Sequence, residues 1–496
     1  MGQEIDTYRF SQRDFERFTQ RLKTETALLA DWFADECFDD SPPVAGFELE
    51  AWLVDEQLRP APVNDVFLKR MASPLMSPEL ARFNVEFNVD PVSLKAGAFS
   101  QLANELGAIW QQGMQTAHGL NTELVMIGIL PTLENSDLVI ANLSAMNRYV
   151  ALNAEILRLR GGRPLKLDIH GFEKHGSKNH GSKNHSPKNH GHDILRSEHQ
   201  DVMLESAATS FQLHLQIPLP QALRAYNASI IASAPLLAVS ANSPYLFGKD
   251  LWAETRIPVF EQAVEVGGFE KDAHGPMRRV SFGSGYARQS IMECFTENLQ
   301  HFPVLLPDDC DSAPDQLQHL RLHNGTLWRW NRPLIGFKEG RPHLRIEQRV
   351  VPAGPTIEDA IANAALFYGL TQALCDLQQA PELSLYFPQA RDNFYACAQH
   401  GMDAHLLWLD GQKHPARTLL LKHILPLAHQ GLATLNIEQQ EADHYLGIIE
   451  ARVQNGRNGA AWQRAYVAQH GADMKALLAA YLQRQQSGVP VHEWEL

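Results

Sequence analysis

Gly46-Phe47-Glu48-Leu49-Glu50-Ala51-Trp52-Leu53-Val54 alternates apolar and polar residues with a period of two, so it reads as a β-strand. Phe47, Leu49, Ala51 and Leu53 share one face. Glu48 and Glu50 share the other, about 7 Å apart along the strand. Three further segments repeat the pattern. Phe83-Asn84-Val85-Glu86-Phe87-Asn88-Val89 sets Asn84, Glu86 and Asn88 against an apolar row. Phe211-Gln212-Leu213-His214-Leu215-Gln216-Ile217 does the same with Gln212, His214 and Gln216. Leu344-Arg345-Ile346-Glu347-Gln348-Arg349-Val350 places Arg345, Glu347 and Arg349 on one side.

Taken singly, each strand suits an antiparallel sheet with one solvated face. Such faces usually carry Lys and Thr, whereas these carry Glu, Asn, Gln, His and Arg. Together the four rows suit a concave sheet that gathers carboxylates, one histidine and several arginines into a shared polar groove. Clustered carboxylates repel unless a cation lies among them or a pKa rises. Glu48, Glu50, Glu86 and Glu347 are oxygen donors suited to Mg²⁺ or Mn²⁺, and His214 adds a ligand that Mn²⁺ tolerates. Zinc fits less well, because the sequence has no compact Cys/His set.

The cations lie close by in sequence. Trp328-Arg329-Trp330-Asn331-Arg332-Pro333 supplies two arginines beside aromatics, Lys338 follows, and Arg345 and Arg349 come next. Arginine forks bind phosphate and carboxylate bidentately. Carboxylate-held metal ions facing arginines are the parts needed for phosphoryl transfer from a nucleotide. The chain has no G-x-x-x-x-G-K-[ST] loop, no strand–G-x-G-x-x-G–helix unit and no G-x-S-x-G elbow. Gly283-Ser284-Gly285-Tyr286 reads as a surface turn.

Composition bounds the rest. The 496 residues carry 43 Lys+Arg and 57 Asp+Glu, a net charge of −14. That balance argues against a nucleic-acid partner, which needs a basic face. No run of about 18 apolar residues appears, so neither a membrane span nor a membrane partner is expected. Five cysteines without a C-x-x-C pair, behind an N-terminus with no apolar leader, point to a cytoplasmic location.

Along the chain, 10–36 predicts an amphipathic helix, 100–120 and 135–160 predict helices, and Leu124–Leu130 predicts a buried strand. Beyond Pro355 the pattern turns helical, over 356–378, 391–409, 416–433, 437–454 and 459–485. Three regions follow: an N-terminal helical segment at 1–40, a catalytic domain at 41–380 and an α-helical C-terminal region at 381–496. Residues 174–192, KHGSKNHGSKNHSPKNHGH, repeat an H-G-S-K-N unit with nothing apolar to bury. They read as a mobile surface insert whose histidines could bind a transition metal.

The ordered set G-F-E-L-E at 46–50, N-V-E-F-N at 84–88, Q-L-H-L-Q at 212–216, W-R-W-N-R-P at 328–333 and R-I-E-Q-R-V at 345–350 resembles the family-2 glutamate–cysteine ligases. These are bacterial carboxylate–amine ligases of the glutamine-synthetase superfamily. Ser243-Pro244-Tyr245-Leu246-Phe247-Gly248 and Glu254-Thr255-Arg256 add to the likeness, which spans roughly 44–380. It implies an α+β fold, with a curved, mainly antiparallel sheet forming a funnel flanked by helices. It also implies ATP as co-substrate and small amino-acid substrates. By the same likeness Glu48, Glu50, Glu86, His214 and Glu347 hold Mg²⁺, and Arg332, Arg345 and Arg349 meet the phosphates. Arg256 holds the acid's α-carboxylate, with Asn88, Gln212 and Gln216 as further substrate contacts. Arg329, Trp330 and Lys338 contact the nucleotide.

The expected activity is ATP-dependent amide formation through an acyl phosphate, with glutamate and cysteine as the default pair. A different acid or amine would keep the chemistry. Two readings of other classes stay open: a non-catalytic metal- or nucleotide-binding protein with a metal-buffering His-rich loop, and a metal-dependent hydrolase that needs no ATP.

Overall fold

A computed structural model describes residues 4–171, 193–266, 278–308 and 310–496. The His-rich insert, and with it the metal-buffering loop, lies outside the described residues.

The four alternating segments pair in one eight-stranded sheet. Val44–Asp55 is the central strand, antiparallel to Asn84–Asn88 on one side and to Phe211–Ile217 on the other. Arg341–Gln348 follows Phe211–Ile217, and Asn331–Lys338 forms that edge. Met76–Pro78 forms the opposite edge, while Val92–Ser93 and Thr122–Val125 pair with the two ends of the central strand. All these main-sheet pairings are antiparallel, as the likeness implies.

Register turns the sequence rows into rows across the sheet. Glu347 lies opposite both Arg332 and His214, and His214 opposite Gly46. Glu48 is flanked by Gln212 and Asn88, and Glu50 lies opposite Glu86. The odd-numbered apolar residues of the central strand face the other way. There the sheet packs on two long helices, Leu219–Ser240 and Ile357–Asp376, which also pack on each other. Tyr368 ties the layers together by donating to the carbonyls of Gly46, at 3.0 Å, and His214, at 3.1 Å.

Leu219–Ser240 is long and apolar enough to cross a membrane by length and mean composition alone, although Gln221, Arg224 and Asn227 interrupt it; 89% of its apolar window is buried inside the protein. The burial accounts for its composition, since a helix that is apolar all round needs an apolar environment on every side.

Two helices flank opposite edges of the sheet. Asn147–Leu159 adjoins the Met76–Pro78 edge, where the Tyr149 hydroxyl donates to the Pro78 carbonyl at 3.1 Å. Gln318–Gly325 adjoins the Asn331–Lys338 edge, where the Asn324 amide donates to the Pro333 carbonyl at 2.9 Å. The N-terminal helix, Gln12–Ala34, braces the second one through Glu25, which bonds His319 at 2.6 Å and the Leu320 amide at 2.7 Å.

Four expectations need correction. The 135–160 helix begins only at Asn147, after two short 3₁₀ turns at Asn135–Asp137 and Ile140–Asn142. The buried strand stops at Val125 rather than Leu130. Side chains take over its backbone groups: Gln485 bonds Met126 N–H, and Trp52 Nε1 donates to the Ile127 carbonyl. The 391–409 helix spans Phe387–His400, followed by a hairpin of His405–Leu407 with Lys413–Pro415. The 459–485 helix is two helices, broken around Gly471, whose φ of +94° lies in the left-handed region. The tail is also bound into the main body. Arg452 reaches Asp359 at 2.7 Å, and Tyr481 donates to the Met126 carbonyl at 2.7 Å.

Candidate active site

The concave face of the sheet walls a cavity of about 490 Å³. Glu48, Glu50, Glu86, Gln212, Arg332, Arg345, Glu347 and Arg349 all line it. The polar face is therefore enclosed rather than solvated; Glu48, Glu50, Glu86, His214 and Glu347 are all buried.

Five carboxylates and one histidine form two groups of three. Glu48, His214 and Glu347 each bring one ligand atom within 4.8 Å of the others, and so do Glu50, Glu79 and Glu86. In the first group, His214 Nε2 is 3.5 Å from Glu48 and 3.7 Å from Glu347. That nitrogen is buried and has no hydrogen-bond partner among the described residues. A buried imidazole nitrogen left open between two carboxylates fits a cation. Burial, with help from Arg345, pushes His214 down to about 4, so its ring is neutral and can act as a ligand at neutral pH. Burial works against ionisation of Glu347, but Arg332 and then Arg349 hold its carboxyl well below the usual range.

The second group behaves oppositely. Burial, joined by Glu48 and Glu50, pushes Glu86 up to about 8. Burial, with Glu50, Glu86 and Glu205 close by, raises Glu79 well above the usual range. Glu205, also on the cavity wall, is pushed to about 8 by burial and then by Glu50. Packed carboxyls of this kind keep protons unless a cation replaces them.

The arginines divide too. Arg332 grips Glu347 with two bonds, Nε at 2.8 Å and Nη2 at 3.0 Å. Arg349 donates to Glu347 at 3.2 Å and to Gln212. Arg345 lines the cavity and makes no hydrogen bond among the described residues; its Nε is buried and unpartnered. Burial lowers its pKa, while Glu48 and Glu347 act in the other direction.

The remaining expected contacts lie off the cavity wall. The Asn88 amide donates to Glu86 at 2.9 Å and so orients a carboxylate. Gln216 donates to Asp39 at 3.1 Å. Arg329 is held by Asn298 and Glu297, and the Trp330 indole donates to Glu261 at 2.9 Å inside the core. Lys338 is exposed at the end of its strand. Arg256 is buried, and its guanidinium is bonded to Glu254 and to the carbonyls of Arg349 and Val350. These five, Arg256, Arg329, Trp330, Lys338 and Gln216, therefore do not face the cavity, because their polar groups are satisfied elsewhere or stand in solvent. Arg256→Ala is expected to lower the thermal midpoint and to shift the KM values for acid and ATP together. A selective rise in the acid KM would restore the carboxylate role.

Sequence reasoning missed Glu79, Glu205, Arg148, Tyr149 and Arg321, all on the cavity wall. Glu79 follows a three-residue edge strand and Glu205 sits in a 3₁₀ turn. Neither offers the alternation that marked the others.

The model of the glutamate-cysteine ligase family 2 (GCS2) matches residues 44–480. That span takes in most of the helical tail, beyond the 44–380 of the motif likeness. A curated relative from Rubrobacter xylanophilus, named "Putative glutamate--cysteine ligase 2-1", is 24% identical over 261 residues. The match covers 51% of this chain and only 56% of that relative. Among solved structures, a glutamate–cysteine ligase from Francisella tularensis in complex with AMP superposes with a TM-score of 0.54 at 11% identity. That alignment covers 91% of this chain and 90% of the other, which makes the fold common to both.

Proposed function

This chain belongs to glutamate–cysteine ligase family 2, and from that premise we propose that it is an ATP-dependent carboxylate–amine ligase working through an acyl phosphate. The default substrates are L-glutamate and L-cysteine, giving γ-glutamylcysteine, ADP and phosphate in the cytoplasm. The observation that carries the reading is a cavity where two three-ligand clusters meet Arg332, Arg345 and Arg349.

Glu48, His214 and Glu347 would hold one divalent ion, Mg²⁺ or Mn²⁺, and Glu50, Glu79 and Glu86 would hold a second. Bound there, such ions neutralise charge on the phosphate oxygens. The nucleotide base lies toward the Gln318–Gly325 edge, where Leu320, Leu322, Leu334, Ile335 and Trp328 give an apolar wall. Arg345, free of hydrogen bonds among the described residues, meets the γ-phosphoryl oxygens, and Arg349, anchored on Glu347, stands behind it. An oxygen of the acid substrate's carboxylate attacks the γ-phosphorus and ADP leaves. The amine nitrogen then attacks the acyl carbon, phosphate departs, and the amine loses a proton. The enclosed wall keeps water from the acyl phosphate.

The test is phosphate release from ATP with Mg²⁺ and glutamate, with and without cysteine, beside mass spectrometry of the product. Cysteine-dependent phosphate together with a γ-glutamylcysteine mass supports the pair. Turnover only with another acid or amine keeps the chemistry and changes the substrates. Phosphate release that needs no amine, or no turnover across a panel, removes the ligase reading.

Proton release provides a second check. Ions bind the carboxylate form, and Glu86 at about 8 is mostly protonated at pH 7. Mn²⁺ binding at pH 7 is therefore expected to release protons. Its affinity should rise from pH 6 to 8 and level off above. Calorimetry in buffers of different ionisation enthalpy measures the release; none at pH 7 would contradict the second cluster.

A further inference from the structure

Residues 4–6 run along one end of the cavity, outside the 44–480 span of the family match, and Glu4 and Ile5 are both part of its wall. Ile5 is 2% exposed, although Glu4 and residues 6–9 on either side of it are exposed. A single buried apolar residue in an exposed stretch is held there by specific contacts, and the first turn of the Asn147–Leu159 helix supplies them. The Asn147 side-chain amide donates to the carbonyls of Ile5, at 3.1 Å, and Asp6, at 3.3 Å. The Arg148 N–H donates to Glu4 Oε1 at 3.0 Å, and the same oxygen accepts the Ile5 N–H at 2.9 Å. First-turn N–H groups lack acceptors within their own helix, and a carboxylate there is favoured by the helix dipole. Met146, at the N-cap position, makes no side-chain cap bond; Glu4 supplies one from outside the helix.

The helix that clasps these residues also contributes Arg148, Tyr149 and Leu152 to the cavity wall. Tyr149 is bonded to Pro78, two residues before Leu80, which is on the wall as well. Ile5, Leu80, Tyr149 and Leu152 thus give this end an apolar corner, at the sheet edge opposite the proposed nucleotide wall. The acid substrate is charged at both ends and needs the ions and arginines. An apolar corner suits the side chain of the amine.

We propose that Ile5, clasped by Asn147 and by the Glu4–Arg148 bond, is a specificity-determining wall of the amine subsite, one that admits an amino acid with a small apolar or thiol side chain and shields the acyl phosphate from water. The inference rests on the ligase reading. Ile5→Ala and Asn147→Ala are each expected to raise the KM for the amine about tenfold or more, the scale of a lost apolar contact in a pocket, while the ATP KM stays within about twofold. Both variants should release phosphate in excess of amide, because water now reaches the intermediate. Ile5→Val, which loses one methylene and keeps the branched side chain, should raise the amine KM by less than Ile5→Ala does. Unchanged amine KM and unchanged coupling in both variants would overturn the proposal.

A readout independent of turnover separates the two readings. The thiol introduced by Ile5→Cys, followed by maleimide labelling and peptide mass mapping, should react far more slowly than exposed Cys37 in the same molecule. Adding Asn147→Ala should speed it. Labelling as fast as Cys37 would mean that no clasp exists. If wild type forms no amide with any acid–amine pair, the ligase reading fails, and the specificity role fails with it, even where slow labelling shows the clasp itself.

Discussion

Glu48→Gln is expected to lower kcat for phosphate release by about 10³-fold or more, a barrier increase of roughly 4 kcal/mol, while the protein keeps its fold. Glu48 lines the cavity from the central strand and lies 3.5 Å from the open nitrogen of His214. Glutamine keeps the length and shape of the side chain and removes only the charge that makes it a ligand for a hard cation. The same change at Glu347 is a poorer test. Glu347 accepts two bonds from Arg332 and one from Arg349. Neutralising it strands buried guanidinium groups, at about 3–5 kcal/mol of stability, so lost activity there would mix two causes. Phosphate release should therefore be read beside Mn²⁺ binding and a thermal midpoint. Near-full activity in Glu48→Gln would remove the metal assignment at the first cluster.

The residues that could be read from sequence were those whose role follows from strand alternation. Glu48, Glu50, Glu86, His214, Glu347 and the arginines at 345 and 349 sit at period-two positions. Once the strands pair, they land on one face with no further information. What the pattern could not supply was where each side chain finds its partner. Arg329, Trp330 and Arg332 come from one hexapeptide, yet only Arg332 reaches the cavity. Alternation would put 328, 330 and 332 on one face. However, Trp328–Arg329 pairs with Val280–Ser281 in a separate two-stranded sheet, and Trp330 is drawn into the core by Glu261. Arg256 illustrates the same limit. Its position in a landmark motif says nothing of Glu254, two residues away, which takes the guanidinium inward at 3.2 Å. Contributions from turns and termini were out of reach for another reason. Glu79, Glu205, Glu4 and Ile5 are brought to the cavity by tertiary packing, and no local period marks such residues.

The arginines provide the other large effect, because two residues facing the same cavity differ in what else they do. Arg345→Ala is expected to lower kcat by about 10²- to 10³-fold, the usual loss for one preorganised group aimed at developing charge. Its thermal midpoint should stay level or rise. Arg345 is half-buried with its Nε fully buried, makes no hydrogen bond among the described residues, and is pushed by burial toward a lower pKa. The folded protein therefore carries it at a cost in stability that Glu48 and Glu347 offset only in part, and removing a desolvated cation that has no hydrogen bond among the described residues relieves that cost. Arg332→Ala should do the reverse to stability. It strips Glu347 of a bidentate partner and leaves a buried carboxylate, losing about 3–5 kcal/mol along with activity. Thermal unfolding and single-turnover phosphate release on the two variants, side by side, decide the matter. A cation that destabilises the empty fold yet is needed for turnover is one held ready for an anionic substrate. If both variants lost stability equally, Arg345 would be a structural residue, and the phosphoryl contact would have to be assigned elsewhere on the wall.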